Sequence, residues 1–155
     1  MNNQLFLWTL FILPWITVFF MQKEDIKRFI PAALLSTIIS IIVVEVGVTL
    51  NWWVVKESAY PLRNLSYIYS LNPVITLWLL RFTYGQFRLY LALDIVVNLG
   101  FSYFFIGFIL KNRDILQYTT LGPLHVFVIT TVTGILIYGY QMWQDDIFER
   151  GYRRS

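Results

Sequence analysis

Cysteine is absent from the 155 residues, and histidine occurs once, at position 125. Without cysteine the chain has no disulfide framework, no thiol nucleophile and no cysteine–zinc site. Charge is sparse too: Asp, Glu, Lys and Arg make up 14% of the residues, against roughly 25% in an ordinary soluble domain. Low charge with high hydrophobicity excludes intrinsic disorder, which needs the reverse. No HExxH, P-loop or GxSxG motif occurs, and neither internal repeats nor low-complexity segments are found.

What is present is apolar. The chain is 57% hydrophobic and 19% aromatic, with a mean hydropathy of +0.61. A folded chain of this length still turns roughly a third of its extended surface to water, so one core cannot hide that much apolar area. The composition specifies an integral membrane protein. Twelve basic and nine acidic residues give a net charge of +3. The bases cluster beside apolar runs, where they set orientation and meet anionic headgroups, so the lipid bilayer and not nucleic acid is the expected partner.

A bilayer is crossed by about 20 mainly apolar residues. Five segments approach that specification, at about 5–21, 29–50, 65–82, 89–110 and 124–143. Pro14 falls inside the first and must kink it or leave a carbonyl seeking another donor. The opening MNNQ carries no positive side chain and QKEDIKR follows the span, as in a retained anchor rather than a cleaved signal peptide. Pro31 suits a first turn of the second helix, and Asn51-Trp52-Trp53 beyond its far end reads as an interfacial aromatic anchor. The third segment is the weakest. Asn72-Pro73 interrupt it, and only VITLWLL is cleanly apolar before Arg81, which leaves a bent span or a partly interfacial helix. Gly122-Pro123 marks the start of the fifth. The connection at 51–64, with Trp52, Trp53 and Tyr60, is expected to lie along the headgroups. Residues 1–155 then form one all-α polytopic membrane bundle with no room for a soluble domain.

Lys23, Lys27, Arg28, Arg81, Arg88, Arg150, Arg153 and Arg154 fall on one side of this layout; Lys56, Arg63, Lys111 and Arg113 fall on the other. Eight against four puts the first side in the cytoplasm, with the N-terminus outside and the C-terminus inside. Aromatic residues gather toward both edges, Trp52, Trp53, Tyr60 and Tyr118 at the outer one, Trp78, Phe82, Tyr84, Tyr90 and Trp143 at the inner, as interfacial belts do. The tail QDDIFERGYRRS, with Ile147, Phe148 and Tyr152, reads as a solvated end rather than a docking handle.

Two acids, Glu45 and Asp94, fall well inside the expected spans. A carboxylate at mid-membrane costs about 2.5–3.5 kcal/mol on insertion scales, so such groups find partners or serve a function. The two differ in depth by roughly 15 Å at 1.5 Å per residue and are not expected to share a proton. Asp94, Asn98 and Ser102 recur every fourth residue and so share one face of the fourth helix. Thr37, Glu45 and Thr49 lie loosely along one side of the second, and the fifth supplies Thr130, Thr131, Thr133 and Gly134. Together they outline either a polar path for protons, a cation or a small solute, or hydrogen-bonded helix contacts. Arg81 and Arg88 are candidate partners for Asp94; His125, Asn72 or Tyr69 are candidates for Glu45. A lone His125 at a helix start with two distant acids makes no metal site. With no mid-span lysine for a Schiff base and no histidine pair for a haem, no cofactor is expected.

FILPW in the first helix, KEDIKRFIPAALL leading into the second, the acid within that helix and NWW after it resemble small multi-pass membrane proteins of Bacillus-like spore-forming Firmicutes. That family has no settled activity. The resemblance therefore implies a bacterial cytoplasmic membrane and carries over no site residue. Three functions fit the sequence. The chain reads first as an accessory or binding subunit of a membrane complex, with a membrane-protein partner or a second copy of itself. The alternative is an oligomeric proton, cation or small-solute transporter or channel component using Glu45 and Asp94. The third is an intramembrane enzyme acting on lipid, for which no motif is present.

Overall fold

A computed structural model describes the backbone of residues 2–154 and the side chains of residues 2–146; the side chains of the C-terminal tail, with Ile147, Phe148, Arg150, Tyr152, Arg153 and Arg154, lie outside the described residues. The elements are α1 (Asn3–Val18), α2 (Lys23–Thr49), β1 (Trp53–Val55), α3 (Ser66–Tyr69), α4 (Leu71–Thr83), α5 (Phe87–Leu99), β2 (Leu116–Tyr118) and α6 (Pro123–Arg154). Helix α5 continues without a break into a wider π-type segment, Gly100–Leu110. Three helical stretches, Lys23–Thr49, Phe87–Leu110 and Pro123–Asp146, are long and apolar enough to cross a membrane, and α1 is a shorter apolar helix. Only 28%, 28% and 22% of their most apolar windows are buried. Leu34, Ile38, Ile42, Val96, Phe104 and Leu136 stand exposed on their outer faces. An apolar surface of that extent suits hydrocarbon rather than water.

Proline placement governs the helix geometry. Helix α2 begins at Lys23, so Pro31 sits in its third turn and not in the first. The acids Glu24 and Asp25 occupy the true first turn, where the helix dipole favours them. Pro73 falls in the first turn of α4, where its missing N–H costs no hydrogen bond. Pro14 lies within α1, and its ring nitrogen cannot donate to the Leu10 carbonyl. That carbonyl accepts from the Ser70 hydroxyl at 2.6 Å. Ser70 is itself the break between α3 and α4 (φ −131°, ψ −61°). The Tyr69 carbonyl, left over at the end of α3, accepts from the Trp15 indole at 3.1 Å. Each interrupted helix thus supplies the donor that the other lacks. Further along, Trp78 Nε1 donates to Thr17 Oγ1 at 3.1 Å, so α1 and α4 run side by side in the same direction.

The segment expected to be weakest is the most enclosed. Ser66, Tyr67, Ile68, Ser70, Pro73, Val74, Thr76, Leu77, Leu80 and Thr83 are all buried. A helix surrounded by other helices needs no continuous apolar stripe, and broken backbone is tolerated at membrane depth when protein covers it.

One end of the bundle gathers the N-terminus and the two long connections. Asn2 caps α1 through Gln4 N–H. The Asn3 and Gln4 amides donate to the Glu57 carboxylate at 2.8 and 2.9 Å. Strands β1 and β2 pair antiparallel, with Trp53 opposite Tyr118 and Val55 opposite Leu116. Asn51, left-handed at φ 57°, ends α2 and turns the chain into this ribbon. Trp53 is buried, 5% exposed, and is not a headgroup anchor, because its indole lies over Gly47 of α2. The start of the connection therefore folds back over α2, while Tyr60 further along it stands exposed. A methyl group at Gly47 would overlap the Trp53 ring, whereas one at Gly139 would meet open space. Gly47→Ala is expected to lower stability by about 1–3 kcal/mol through overpacking, with Gly139→Ala neutral or slightly stabilising. Thermal unfolding in detergent measures both, and equal effects would contradict the packing described.

At the opposite end, Arg28 pairs with Asp145 at 2.7 Å, tying α2 to α6, and Gln141 Nε2 donates to Asp145 at 3.0 Å. The Arg28 guanidinium lies 4.6 Å from the centre of the Tyr84 ring. Burial, and then the hydrogen bond to Asp145, pushes the Tyr84 phenol up to about 12, so it remains a donor at neutral pH. Gly85, at φ 91°, makes the turn into α5 that a side chain would strain.

Candidate functional site

The buried apolar residues form two clusters. The one nearer the ribbon includes Leu7, Val44, Trp53, Tyr67, Ile106 and Leu116. The other includes Phe29, Val74, Leu77, Leu80, Tyr90 and Ile137. Between them α2, α4, α5 with its π segment and α6 line a cavity of about 110 Å3. Trp53, Leu116 and Tyr118 of the ribbon also contribute to its wall.

Asp94 dominates this chamber. It is 5% exposed and lies on the chamber wall, and its Oδ2 has no hydrogen-bond partner among the described residues. Its place depends on Gly134 of α6: a Cβ there would lie 2.5 Å from both carboxylate oxygens. Glycine is the one residue that lets α6 approach the acid so closely. One turn before Asp94, the Tyr90 hydroxyl donates to the Gly134 carbonyl at 2.8 Å, which locks α5 to α6 at this level. One turn after it, Asn98 is buried beside the carboxylate and reaches Thr131 Oγ1 at 3.5 Å. Ser102 is fully buried, donates to the Asn98 carbonyl at 2.9 Å, and has its own carbonyl held by the Tyr118 hydroxyl at 2.8 Å. The face expected to carry Asp94, Asn98 and Ser102 is thus turned wholly inward, and the helix widens into π geometry partway along it. Such widenings accompany functional sites in many helices.

Other expected positions fall elsewhere. Glu45 is exposed on the outer side of α2, does not line the chamber, and has no hydrogen bond or ion pair among the described residues. Arg81 does not reach Asp94; its Nε lies 3.3 Å from Asp25 Oδ2, and its guanidinium packs over Trp78 at 5.3 Å. Arg88 is exposed. Six residues at 3.6 per turn leave it well round the helix from Asp94. His125 is exposed, and its Nδ1 accepts from Gly122 N–H at 3.2 Å, which makes it part of the start of α6. Asn72 donates to Ser40 Oγ at 2.8 Å and Tyr69 accepts from Asn64, so neither meets Glu45. Among the described residues no group of three His, Cys, Asp or Glu is placed to hold a metal ion.

No family model, curated protein or solved structure matches the chain.

Several wall residues escaped the sequence reading. Ser36 and Ser40, rather than Thr37 and Glu45, are the polar groups that α2 presents to the chamber. Helix α4 adds Asn72 and Thr76. Tyr90 is 2% exposed, and Tyr118 lines the chamber; both were expected in interfacial belts. The spacing of four in Ser36–Ser40 and Asn72–Thr76 was a visible sign of two polar faces. Only the packing tells which faces look inward. The three wall threonines bond to nearby backbone: Thr76 to Asn72, Thr130 to Val126 and Thr133 to Ile129. Their donors are spent within their own helices, as is common for Ser and Thr in apolar helices.

Proposed function

We propose that the chain is a polytopic protein of the bacterial cytoplasmic membrane that holds and passes a small cation or polar solute through the chamber around Asp94, working as an oligomer because a single copy is small. The observation that carries this reading is the buried carboxylate, with one oxygen unpartnered, on the wall of an internal cavity. An ionisable group kept at such cost inside an apolar bundle is a functional site by default.

In this reading the chain crosses five times, through α1, α2, α3 with α4, α5 with its π segment, and α6, with the N-terminus outside and the C-terminus in the cytoplasm. The gathering of the N-terminus, the ribbon and the 51–64 connection at one end favours it. So does the count of Lys and Arg, eight at the other end against four at this one. The bacterial membrane rests on the resemblance carried by FILPW and KEDIKRFIPAALL.

Flux of protons, metal cations or small organic cations in proteoliposomes tests the assignment. Asp94→Asn is expected to reduce flux at least tenfold, and Glu45→Gln to leave it unchanged, since Glu45 is outside the chamber. Flux that is indifferent to Asp94→Asn, or no flux at all, would remove the transport reading.

One observation favours a second reading, the accessory subunit. Glu45 stands on the outer face of α2, among Ile38, Ile42 and Val46, with no hydrogen bond or ion pair among the described residues. A donor on a neighbouring membrane protein or on a second copy would relieve that acid. Isolation in mild detergent with a stoichiometric partner that Glu45→Gln releases would support this reading, and a monomer unaffected by the change would end it.

A further inference from the structure

We propose that the occupant of the Asp94 chamber is a small organic monocation, a primary alkylammonium of about three to five carbons. Its ammonium sits on Asp94 and its chain lies along the apolar wall. The proposal rests on the reading of the chamber as a solute site and specifies the chemistry of that solute.

Three properties of the chamber define the class. The first is its charge pattern. Among the described residues Asp94 Oδ2 lacks a donor, and five of the wall hydroxyls are spent: Tyr90 on the Gly134 carbonyl, Tyr118 on the Ser102 carbonyl, and Thr76, Thr130 and Thr133 on their own helices. An occupant with N–H groups would supply the missing donor, and an ammonium carries three. The other unpartnered polar atom on the wall, Trp53 Nε1, is a donor and cannot hold a second positive charge, so the chamber has one cationic pole.

The second is the nature of the wall. Val43, Ile75, Val97, Phe101 and Ile129 face the same space. Hard cations such as sodium or calcium need a shell of about six oxygens in place of water; the chamber has one carboxylate, its other polar groups are spread over several elements among aliphatic side chains, and no cluster of acids gathers there among the described residues. A cation carrying its own apolar chain matches both parts of the wall. The aromatic rings there favour an ammonium further.

The third is size. At about 110 Å3 the cavity is somewhat smaller than the roughly 150 Å3 space that admits benzene. That volume matches an occupant of about four to six heavy atoms.

Isothermal titration of the full-length protein in detergent at neutral pH, with n-butylammonium, ammonium, sodium and 1-butanol as separate probes, tests the assignment. Saturable one-to-one binding of butylammonium is expected, at least tenfold tighter than any of the other three. Asp94→Asn, shown to be folded by circular dichroism and gel filtration, should weaken it at least tenfold. Ile129→Phe, which fills the chamber and leaves the acid in place, should do the same. Equal binding of butanol, a preference for sodium or ammonium, or indifference to both substitutions would each overturn the ligand class. If cation flux depends on Asp94 while butylammonium neither binds nor competes, the class is wrong and the chamber still works on a different solute. If neither flux nor binding depends on Asp94, both readings fall together.

Discussion

Asp94→Asn is expected to make the protein more stable while it removes chamber function. The carboxylate has one oxygen without a donor and is almost wholly enclosed. An ionised acid in that setting costs about 2.5–3.5 kcal/mol on insertion scales. The amide is nearly isosteric and uncharged, but it brings an N–H that also lacks a partner, so part of the gain is returned. A net stabilisation of about 1–2 kcal/mol remains, a rise in melting temperature of roughly 2–8 °C for a chain of this size. The sign carries the information. If Asp94 served to hold α5 against α6, its removal would cost about 1–3 kcal/mol, because the groups around it would lose their partner. An acid retained for function leaves a protein that is steadier without it. Thermal unfolding of both forms in one detergent decides the matter, and a lowered melting temperature for Asp94→Asn would assign the residue to helix packing.

The second large effect concerns the exchange between the two interrupted helices. Ser70→Ala should cost about 1–3 kcal/mol, since the Leu10 carbonyl then has no donor from Pro14 or from residue 70. Pro14→Ala restores an N–H one turn beyond Leu10, so in that background Ser70→Ala should cost much less. The double-mutant cycle is expected to show a coupling of about 1–2 kcal/mol. Strictly additive effects would mean that the Ser70 hydroxyl does not replace the donor that proline withholds. The test reads stability alone and is independent of any ligand.

Much of the layout could be read from hydropathy and punctuation. The expected segment at 89–110 is the helix Phe87–Leu110, and Gly122-Pro123 opens α6 as expected. The shared face of Asp94, Asn98 and Ser102 followed from a spacing of four, and the open carbonyl in α1 followed from Pro14. Misreadings arose where neighbours along the chain have different neighbours in space. Trp52 and Trp53 are adjacent, yet only Trp53 packs onto Gly47, and a glycine gives no sign in sequence of the ring that will cover it. Arg81 was a candidate partner for Asp94, but in the fold it meets Asp25 at the start of α2. Glu45 and Asp94 look alike in a hydropathy plot and end in opposite environments.

The sequence by itself determined the medium and the helices: low charge, long apolar runs and sparse prolines act locally and additively, so they can be summed along a chain. The tertiary structure alone decided which side of each helix faces protein. That depends on the rotation of every helix about its axis, set by a few close approaches such as Gly134 on Asp94 and Gly47 on Trp53. Those contacts join residues forty or six positions apart with no periodic trace, and they determine that one acid lines a chamber and the other faces outward.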